Sequence, residues 1–118
     1  MSVYSTAHKL AREIKNSDQY KEYREIRETI LADENKKEML QDFQQEQLRL
    51  QSRQMAGEEL SEEDREKFEN LRNLVELNQD IKKYLQAESR VSTMLNDLQK
   101  ILFEDLELGV FEEEGTEG

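Results

Sequence analysis

Cysteine, proline and tryptophan are absent from this chain of 118 residues, and only 4 glycines occur. Without cysteine the chain forms no disulfide, no thiolate zinc site, no cysteine nucleophile and no cysteine-bound iron–sulfur cluster. Without proline, and with so little glycine, helices run almost uninterrupted. The remaining residues are mostly good helix formers, so the sequence predicts an all-α fold.

Long apolar runs are also missing. No segment approaches the roughly 18 consecutive apolar residues of a membrane span. The first residues lack the basic and then apolar pattern of a secretory signal. We therefore expect a cytoplasmic protein that does not enter a membrane. The formal net charge of −11 argues against direct binding to nucleic acid or to anionic lipid.

Apolar side chains are scarce for a chain of this size. They make up 35% of the residues, against about 45–50% in ordinary domains. A compact monomer would have only a thin core to offset the conformational entropy lost on folding. Elongated helices and a core shared between two copies both relieve this shortage. We therefore expect a homodimer of elongated subunits.

Two short helices are predicted at the N-terminal end from the spacing of apolar residues. The first covers Val3–Lys15, and the second ends near Ala32. Asn16 or Ser17 separates the two helices and caps the second. The spacing of Asn16 and Gln19 is typical of a capping box, in which the two side chains bond to each other's backbone N–H groups.

Longer helices follow. The third is predicted over Glu34–Met55, and it ends at a tight turn with Gly57 in the left-handed conformation. Ser61 is placed to cap the next helical segment, over 62–106. That segment is either one helix or is broken at Asn78, which can cap a new helix, and periodicity allows both.

The tight turn predicts that the third helix and the segment after it form an antiparallel hairpin. With the turn centred between the two helices, Leu50 faces Phe68 and Phe43 faces Val75. The apolar seam of the third helix, meaning the residues predicted to face its partner, is Leu40, Phe43, Gln47, Leu50 and Gln54.

The sequence thus predicts an elongated helical bundle, built on a long antiparallel helical hairpin with two shorter N-terminal helices. We expect residues 1–108 to form a single helical domain. The end of the chain differs in composition, because residues 104–118 contain seven acids and no base. We expect residues 109–118 to be an acidic, disordered tail.

No part of the sequence specifies a reaction. His8 is the only histidine, and the nearby Ser5 and Thr6 have no orienting carboxylate or oxyanion hole that the sequence identifies. The Glu-x-x-His pairs of di-iron bundles, the calcium-binding loop and the phosphate-binding loop are all absent. We therefore expect no catalytic residue, no metal and no cofactor.

Two glutamines, Gln47 and Gln54, fall where the seam of the third helix calls for apolar residues. A buried amide without a partner costs about 1–3 kcal/mol. Such amides either fix the register or oligomeric state of the helices, or line a polar groove for another protein. Basic residues on helix faces are interleaved with acids, which favours solvated surfaces, although Arg49 and Arg53 lie one turn apart and could form a binding patch.

Partner binding is therefore the only kind of site that we predict, through recognition of a helix face. Tyrosines suit such interfaces because their rings are apolar and their hydroxyls are polar. The candidate partner-binding residues are Tyr20, Tyr23, Gln47, Leu50, Arg53 and Gln54.

Several stretches resemble the YlbF/YmcA family of small bacterial helical proteins, and most closely its YheA-like branch. The resemblance covers residues from about 3 to 106 and is a pattern along the chain without a catalytic motif. It is carried by VYSTAHKLA at 3–11, SDQYKEY at 17–23, QMAG at 54–57, YLQAE at 84–88, and by Phe43, Gln47, Leu50 and Gln51.

The resemblance implies an all-helical, often dimeric protein without enzymatic activity. Two better-known members of the family act with a third, unrelated protein in a complex that supports endonucleolytic mRNA maturation. Cysteines of those members are linked to iron–sulfur binding, which this chain cannot share. Two functions are therefore open: an adaptor or regulatory protein that binds an unidentified protein partner, or an accessory factor for RNA processing that is associated with a ribonuclease.

Overall fold

The computed structural model describes residues 2–109, and within this range the chain forms helices and no strand. The described helices are α1 (Val3–Lys15), α2 (Asp18–Leu31), α3 (Glu34–Met55), α4 (Glu62–Leu77) and α5 (Gln79–Phe103). The described part of the molecule is flat, with extents of 47 × 40 × 18 Å. The predicted all-α bundle is confirmed. Most of the predicted acidic tail, residues 110–118, lies outside the described residues.

A two-residue junction connects α1 to α2. Asn16 still has a helical backbone and closes the end of α1, whereas Ser17 is extended and accepts a hydrogen bond from the Tyr20 N–H at 3.2 Å. The predicted capping box of Asn16 and Gln19 is therefore wrong. An N-cap residue needs an extended backbone, and here only the serine has it.

The turn after α3 lies at the predicted place. Gly57 has a φ of +83°, which favours glycine because it has no Cβ. Its N–H donates to the carbonyl of Gln54, and the N–H of Glu58 donates to the carbonyl of Arg53, both at 3.0 Å. This pair of hydrogen bonds is the Schellman motif, which satisfies the last carbonyls of α3.

The register of the hairpin differs from the predicted one. The ring of Phe43 stacks on Phe68, with centroids 5.5 Å apart, so that Phe68 does not face Leu50 as predicted. The reason is that the chain reverses at Gly57 itself. Residues after Gly57 run back along α3 at once, so that Asp64 of α4 already lies beside Arg49, one helical turn before Arg53.

A break separates α4 from α5. Helix α4 begins at a capping box, in which Ser61 and Asp64 bond to each other's backbone N–H groups. It ends at Leu77, and Asn78 then adopts an extended backbone and caps α5 by accepting from the Ile81 N–H at 3.1 Å. Of the two arrangements that periodicity allowed, the structure has the broken one.

The core lies where α2, α3, α4 and α5 meet. Ile81, at the start of α5, is fully buried. Helix α2 runs antiparallel to α5. Glu22, near the start of α2, contacts Arg90, whereas Lys36, which follows α2 in the chain at the start of α3, contacts Asp80 at the start of α5. Tyr23 of α2 contacts Tyr84, which lies between these two positions of α5. The buried cluster consists of Ile30, Leu40, Phe43, Val75, Ile81 and Tyr84.

Candidate protein-interaction surfaces

A network of charged side chains joins the C-terminal half of α3 to the start of α4. We name it the hairpin network, and its members are Glu46, Arg49, Arg53, Asp64 and Lys67. Arg49 donates two hydrogen bonds to Glu46, at 3.1 and 2.6 Å, and one to Asp64 at 3.0 Å. Arg53 donates to the second oxygen of Asp64, and the Lys67 Nζ lies 3.5 Å from Glu46. The two helices are thereby tied together by paired charges.

The charges of this network are fixed by their partners. Hydrogen bonds from Arg49 hold the pKa of Glu46 below its usual range, although burial opposes this effect. Hydrogen bonds from Arg49 and from the Ser61 N–H hold the pKa of Asp64 well below its usual range. The same carboxylates raise the pKa of Arg49. Each of these shifts moves the pKa of Glu46, Asp64 or Arg49 further from neutral pH, so the network is suited to holding helices together rather than to acid–base chemistry.

Another face of α3 is exposed and carries no charge. We name it the α3 outer face, and its members are Gln47, Leu48, Gln51, Gln54 and Met55. Helical geometry places them on one face, since Gln51 is three or four residues from every other member. Leu48 is 64% exposed and Met55 is 88% exposed. The charged residues of the same stretch, Glu46, Arg49 and Arg53, point to the network at α4.

The predicted α3 seam needs a correction. Gln47 and Gln54 are exposed, whereas Glu46 is only 5% exposed and Arg53 is half-buried. The prediction assigned Gln47 and Gln54 to the seam from the spacing of apolar residues. An unpaired carboxylate would be costly to bury. In the structure Glu46 is paired. Leu50, also a candidate, is buried and does not reach the surface.

The two candidate tyrosines lie on another part of the molecule, where α2 meets α5. The rings of Tyr20 and Tyr23 are 6.1 Å apart, and the ring of Tyr23 is 5.5 Å from that of Tyr84. Tyr84 donates to Glu88 at 3.2 Å, and burial is the largest cause of its raised pKa. The structure therefore separates the predicted residues into a tyrosine group between α2 and α5 and a group on α3.

A groove of about 430 Å³ lies between α2 and α5. Charges of both signs line it, among them Glu22, Glu25, Lys83 and Arg90. Within this lining, Arg90 donates to Glu22 at 3.0 Å. Within residues 2–109, no group of three or more His, Cys, Asp or Glu side chains is placed to hold a metal ion. Among the described helices, none has both the length and the apolar character that a membrane span requires.

Comparison with known proteins places the chain in a family. A family model described as "Control of competence regulator ComK, YlbF/YmcA" matches residues 3–107. The chain belongs to the YlbF/YmcA family. The resemblance predicted from the sequence is thus confirmed. Relatives include a UPF0342 protein of Halothermothrix orenii, which is 51% identical over 97% of each chain. Another, of Desulfitobacterium hafniense, is 40% identical over 88% of this chain and 84% of its own.

Two solved structures share the fold. A protein of unknown function (DUF964) from Bacillus stearothermophilus has a TM-score of 0.75 at 22% identity, covering 88% of this chain and 91% of that chain. Bacillus subtilis RicA, solved in complex with RicF, has a TM-score of 0.59 at 20% identity, covering 85% of this chain and 89% of that chain. At these identities the likeness concerns the fold.

Proposed function

We propose that this YlbF/YmcA family protein is a non-enzymatic adaptor or regulatory protein of the cytoplasm that acts by binding another protein. The observation that carries the proposal is the α3 outer face. It is exposed over more than two helical turns and has no charge, in a chain of which 38% of residues are charged.

The composition of the α3 outer face suits a protein partner. The centres of protein interfaces are depleted in Lys, Glu and Asp and enriched in methionine. Met55 is flexible and adapts to irregular apolar surfaces. Leu48 adds a second apolar side chain to the same uncharged face. Gln47, Gln51 and Gln54 supply both donors and acceptors along the same face. An apolar or amphipathic helix of the partner is the occupant that such a face recognises.

The hairpin network supports this face from the opposite side of α3. Arg49 and Arg53 hold α3 against α4 through Asp64, so the outer face is presented by a helix that is fixed rather than free. A preformed surface loses less conformational entropy when it binds. A fixed geometry is therefore consistent with an adaptor that binds without reorganising.

The alternative function is an accessory factor for RNA processing. The structure gives little support to direct contact between this protein and RNA. Arg49 and Arg53, the basic pair that the sequence offers, already donate to Glu46 and Asp64. Binding to phosphate would require these bonds to break. A ribonuclease would instead be bound as a protein, through the α3 outer face.

We also propose that the protein is a homodimer. Only a small set of side chains is buried within one subunit, and several large apolar residues outside α3 are exposed, among them Val3 and Leu102. Exposed apolar patches of this kind mark interaction surfaces.

The adaptor proposal is tested by capturing partners on the tagged protein in cells to which it is native, with and without nuclease. The variant carries Leu48→Glu and Met55→Glu, two exposed positions where the change leaves the core intact. Leu77→Glu is the matched control, because Leu77 is 82% exposed on α4. We expect a stoichiometric protein that survives nuclease, is retained by the control and is lost from the α3 variant.

Two outcomes contradict the proposal. A partner that both variants retain would mean that the α3 outer face is not the binding surface. A partner that is recovered only without nuclease would favour an RNA-tethered role. Circular dichroism must give the same helical content for all three proteins.

A further inference from the structure

A single residue, Asn78, separates α4 from α5. Its backbone is extended, with a φ of −99° and a ψ of 111°. Its N–H donates to the carbonyl of Val75, and its side chain accepts from the Ile81 N–H, both at 3.1 Å. The backbone conformation of this one residue therefore decides whether α4 and α5 are two helices or one straight helix.

The sequence around Asn78 is compatible with a continuous helix. No glycine or proline occurs between residues 58 and 108. The buried stripe keeps helical spacing through the break, at three, three and four residues: Val75, Asn78, Ile81 and Leu85. A continuous helix would also pair the last carbonyls of α4 with the first N–H groups of α5, which have no partner within the two separate helices. The bonds of Asn78 are the local feature that favours the break.

Helix α5 is held by side chains that lie far from it in the sequence. Asp80 accepts from Lys36 at 2.6 Å, and Arg90 donates to Glu22 at 3.0 Å. Neither contact requires its two partners to belong to the same chain. If α4 and α5 straighten, α5 leaves the surface that α2 and α3 of its own chain provide. Only a second copy of the chain offers a surface with the same residues in the same places.

An exchanged dimer would re-form the core and add to it. Ile81 and Tyr84 of α5 belong to the same buried cluster as Ile30 and Phe43, and in the dimer each such cluster contains helices of both copies. The added contacts lie where the two straight helices cross, at the former break. Leu74, one helical turn before the break, is 50% exposed, and the other copy would cover it there. Burial of this extra apolar surface favours the dimer.

We infer that two copies exchange α5: α4 and α5 straighten into one helix at Asn78, and α5 of each copy packs on α2 and α3 of the other. Exchange of an identical element is a low-cost route to a symmetric dimer, and short connections favour it. The inference rests on the proposed homodimer and specifies how its two copies are joined.

Two substitutions at the break have opposite expected effects on the dissociation constant of the dimer, measured by sedimentation velocity over a dilution series. Gln79 is the first residue of α5, where proline is tolerated, and the extended backbone of Asn78 suits the residue before a proline. Within a continuous helix, a proline at this position would remove a hydrogen bond and clash with the carbonyl of Val75. We therefore expect Gln79→Pro to raise the dissociation constant at least roughly hundredfold. Asn78→Ala removes the cap and should lower it roughly tenfold.

A crosslink between α2 and α5 identifies the chain to which each α5 belongs. Because the sequence has no cysteine, Glu22→Cys and Arg90→Cys introduce the only reactive pair, at exposed positions that contact each other. A short bis-maleimide reagent joins the two thiols. Where sedimentation velocity gives a dimer, we expect a covalent dimer on a denaturing gel. When Gln79→Pro is added, we expect the reagent to join α2 and α5 within one chain.

The outcomes separate the exchange from the dimer. A protein that sediments as a monomer would overturn the homodimer and this inference with it. A dimer in which the reagent joins α2 to α5 of the same chain would overturn the exchange and leave the homodimer. A Gln79→Pro protein with unchanged helical content and an unchanged dissociation constant would do the same. The crosslink decides the question even if Gln79→Pro does not fold, and none of these measurements involves the α3 outer face, so the adaptor proposal is tested separately.

Discussion

The buried carboxylate of the hairpin network provides the sharpest test of how α3 is held to α4. Glu46 is 5% exposed, and it accepts two hydrogen bonds from Arg49. Two substitutions of similar size separate its contributions. Glu46→Gln keeps the polarity and removes the charge, whereas Glu46→Met removes both.

We expect Glu46→Gln to be the more harmful change. The new amide places a buried N–H₂ group against the donors of Arg49, and a buried donor without an acceptor costs about 1–3 kcal/mol. Methionine introduces no donor, and replacing a buried ion pair by apolar atoms is often close to neutral. Arg49 is 42% exposed and keeps Asp64 as a partner. We therefore expect Glu46→Met to lie within about 1 kcal/mol of the wild type.

Urea unfolding followed by far-ultraviolet circular dichroism measures both differences. One fixed protein concentration is used, because the apparent stability of the proposed dimer would depend on concentration. The slopes of free energy against urea should agree among the three proteins. The pKa of Glu46 is lowered in the folded state. The contribution of its charge to the free energy of unfolding is therefore complete above its unfolded pKa, about 4.3, and is lost as the pH falls further. If Glu46→Met were as destabilising as Glu46→Gln, the ion pair itself would be a net stabiliser and the reasoning would be wrong.

Three further substitutions test other contacts. Phe43→Ala removes the ring stacked on Phe68 and should lower the free energy of unfolding by about 3–5 kcal/mol in urea titrations. Asp64→Asn should flatten the loss of stability that the wild type shows on acidification below about pH 4, because the lowered pKa of Asp64 makes the unfolded state bind more protons there. Tyr84→Phe should reduce the loss of stability that the wild type shows above about pH 10. The raised pKa of Tyr84 means that the folded state favours the protonated phenol, and this preference costs stability once the unfolded state loses the proton. An unchanged pH profile would contradict either of the last two.

Local features of the sequence predict most of the helices. The bounds of α1 and α3 are those predicted, because apolar spacing and capping residues are local to the chain. Gly57 also marks the turn correctly. The hairpin register was wrong because it depends on where the chain reverses, and the return along α3 begins directly after Gly57. The sequence around the turn does not distinguish an early reversal from a central one.

The candidate site was harder to predict than the fold. Apolar spacing assigned Gln47 and Gln54 to the seam, yet it is Glu46 that is buried. Arg49 and Lys67 make this burial tolerable by pairing with Glu46. Lys67 lies on α4, so its position beside Glu46 follows only once the register of the α3–α4 hairpin is known. Leu48 and Met55 were missed for a related reason, since they lie outside the predicted apolar stripe. The absence of charge from one face of α3 was the signal that could have found them.

The distribution of charge around α3 separates stability from recognition. All three charged side chains between Glu46 and Arg53 are engaged in the hairpin network, and the outer face between Gln47 and Met55 has none. Weakening the network with Glu46→Gln should therefore lower stability while the folded protein still binds its partner. Reversing the polarity of Leu48 and Met55 should leave unfolding almost unchanged and remove the partner. If the α3 outer face binds the partner as proposed, both properties depend on the same helix but on side chains that point in different directions, so each can be changed without the other.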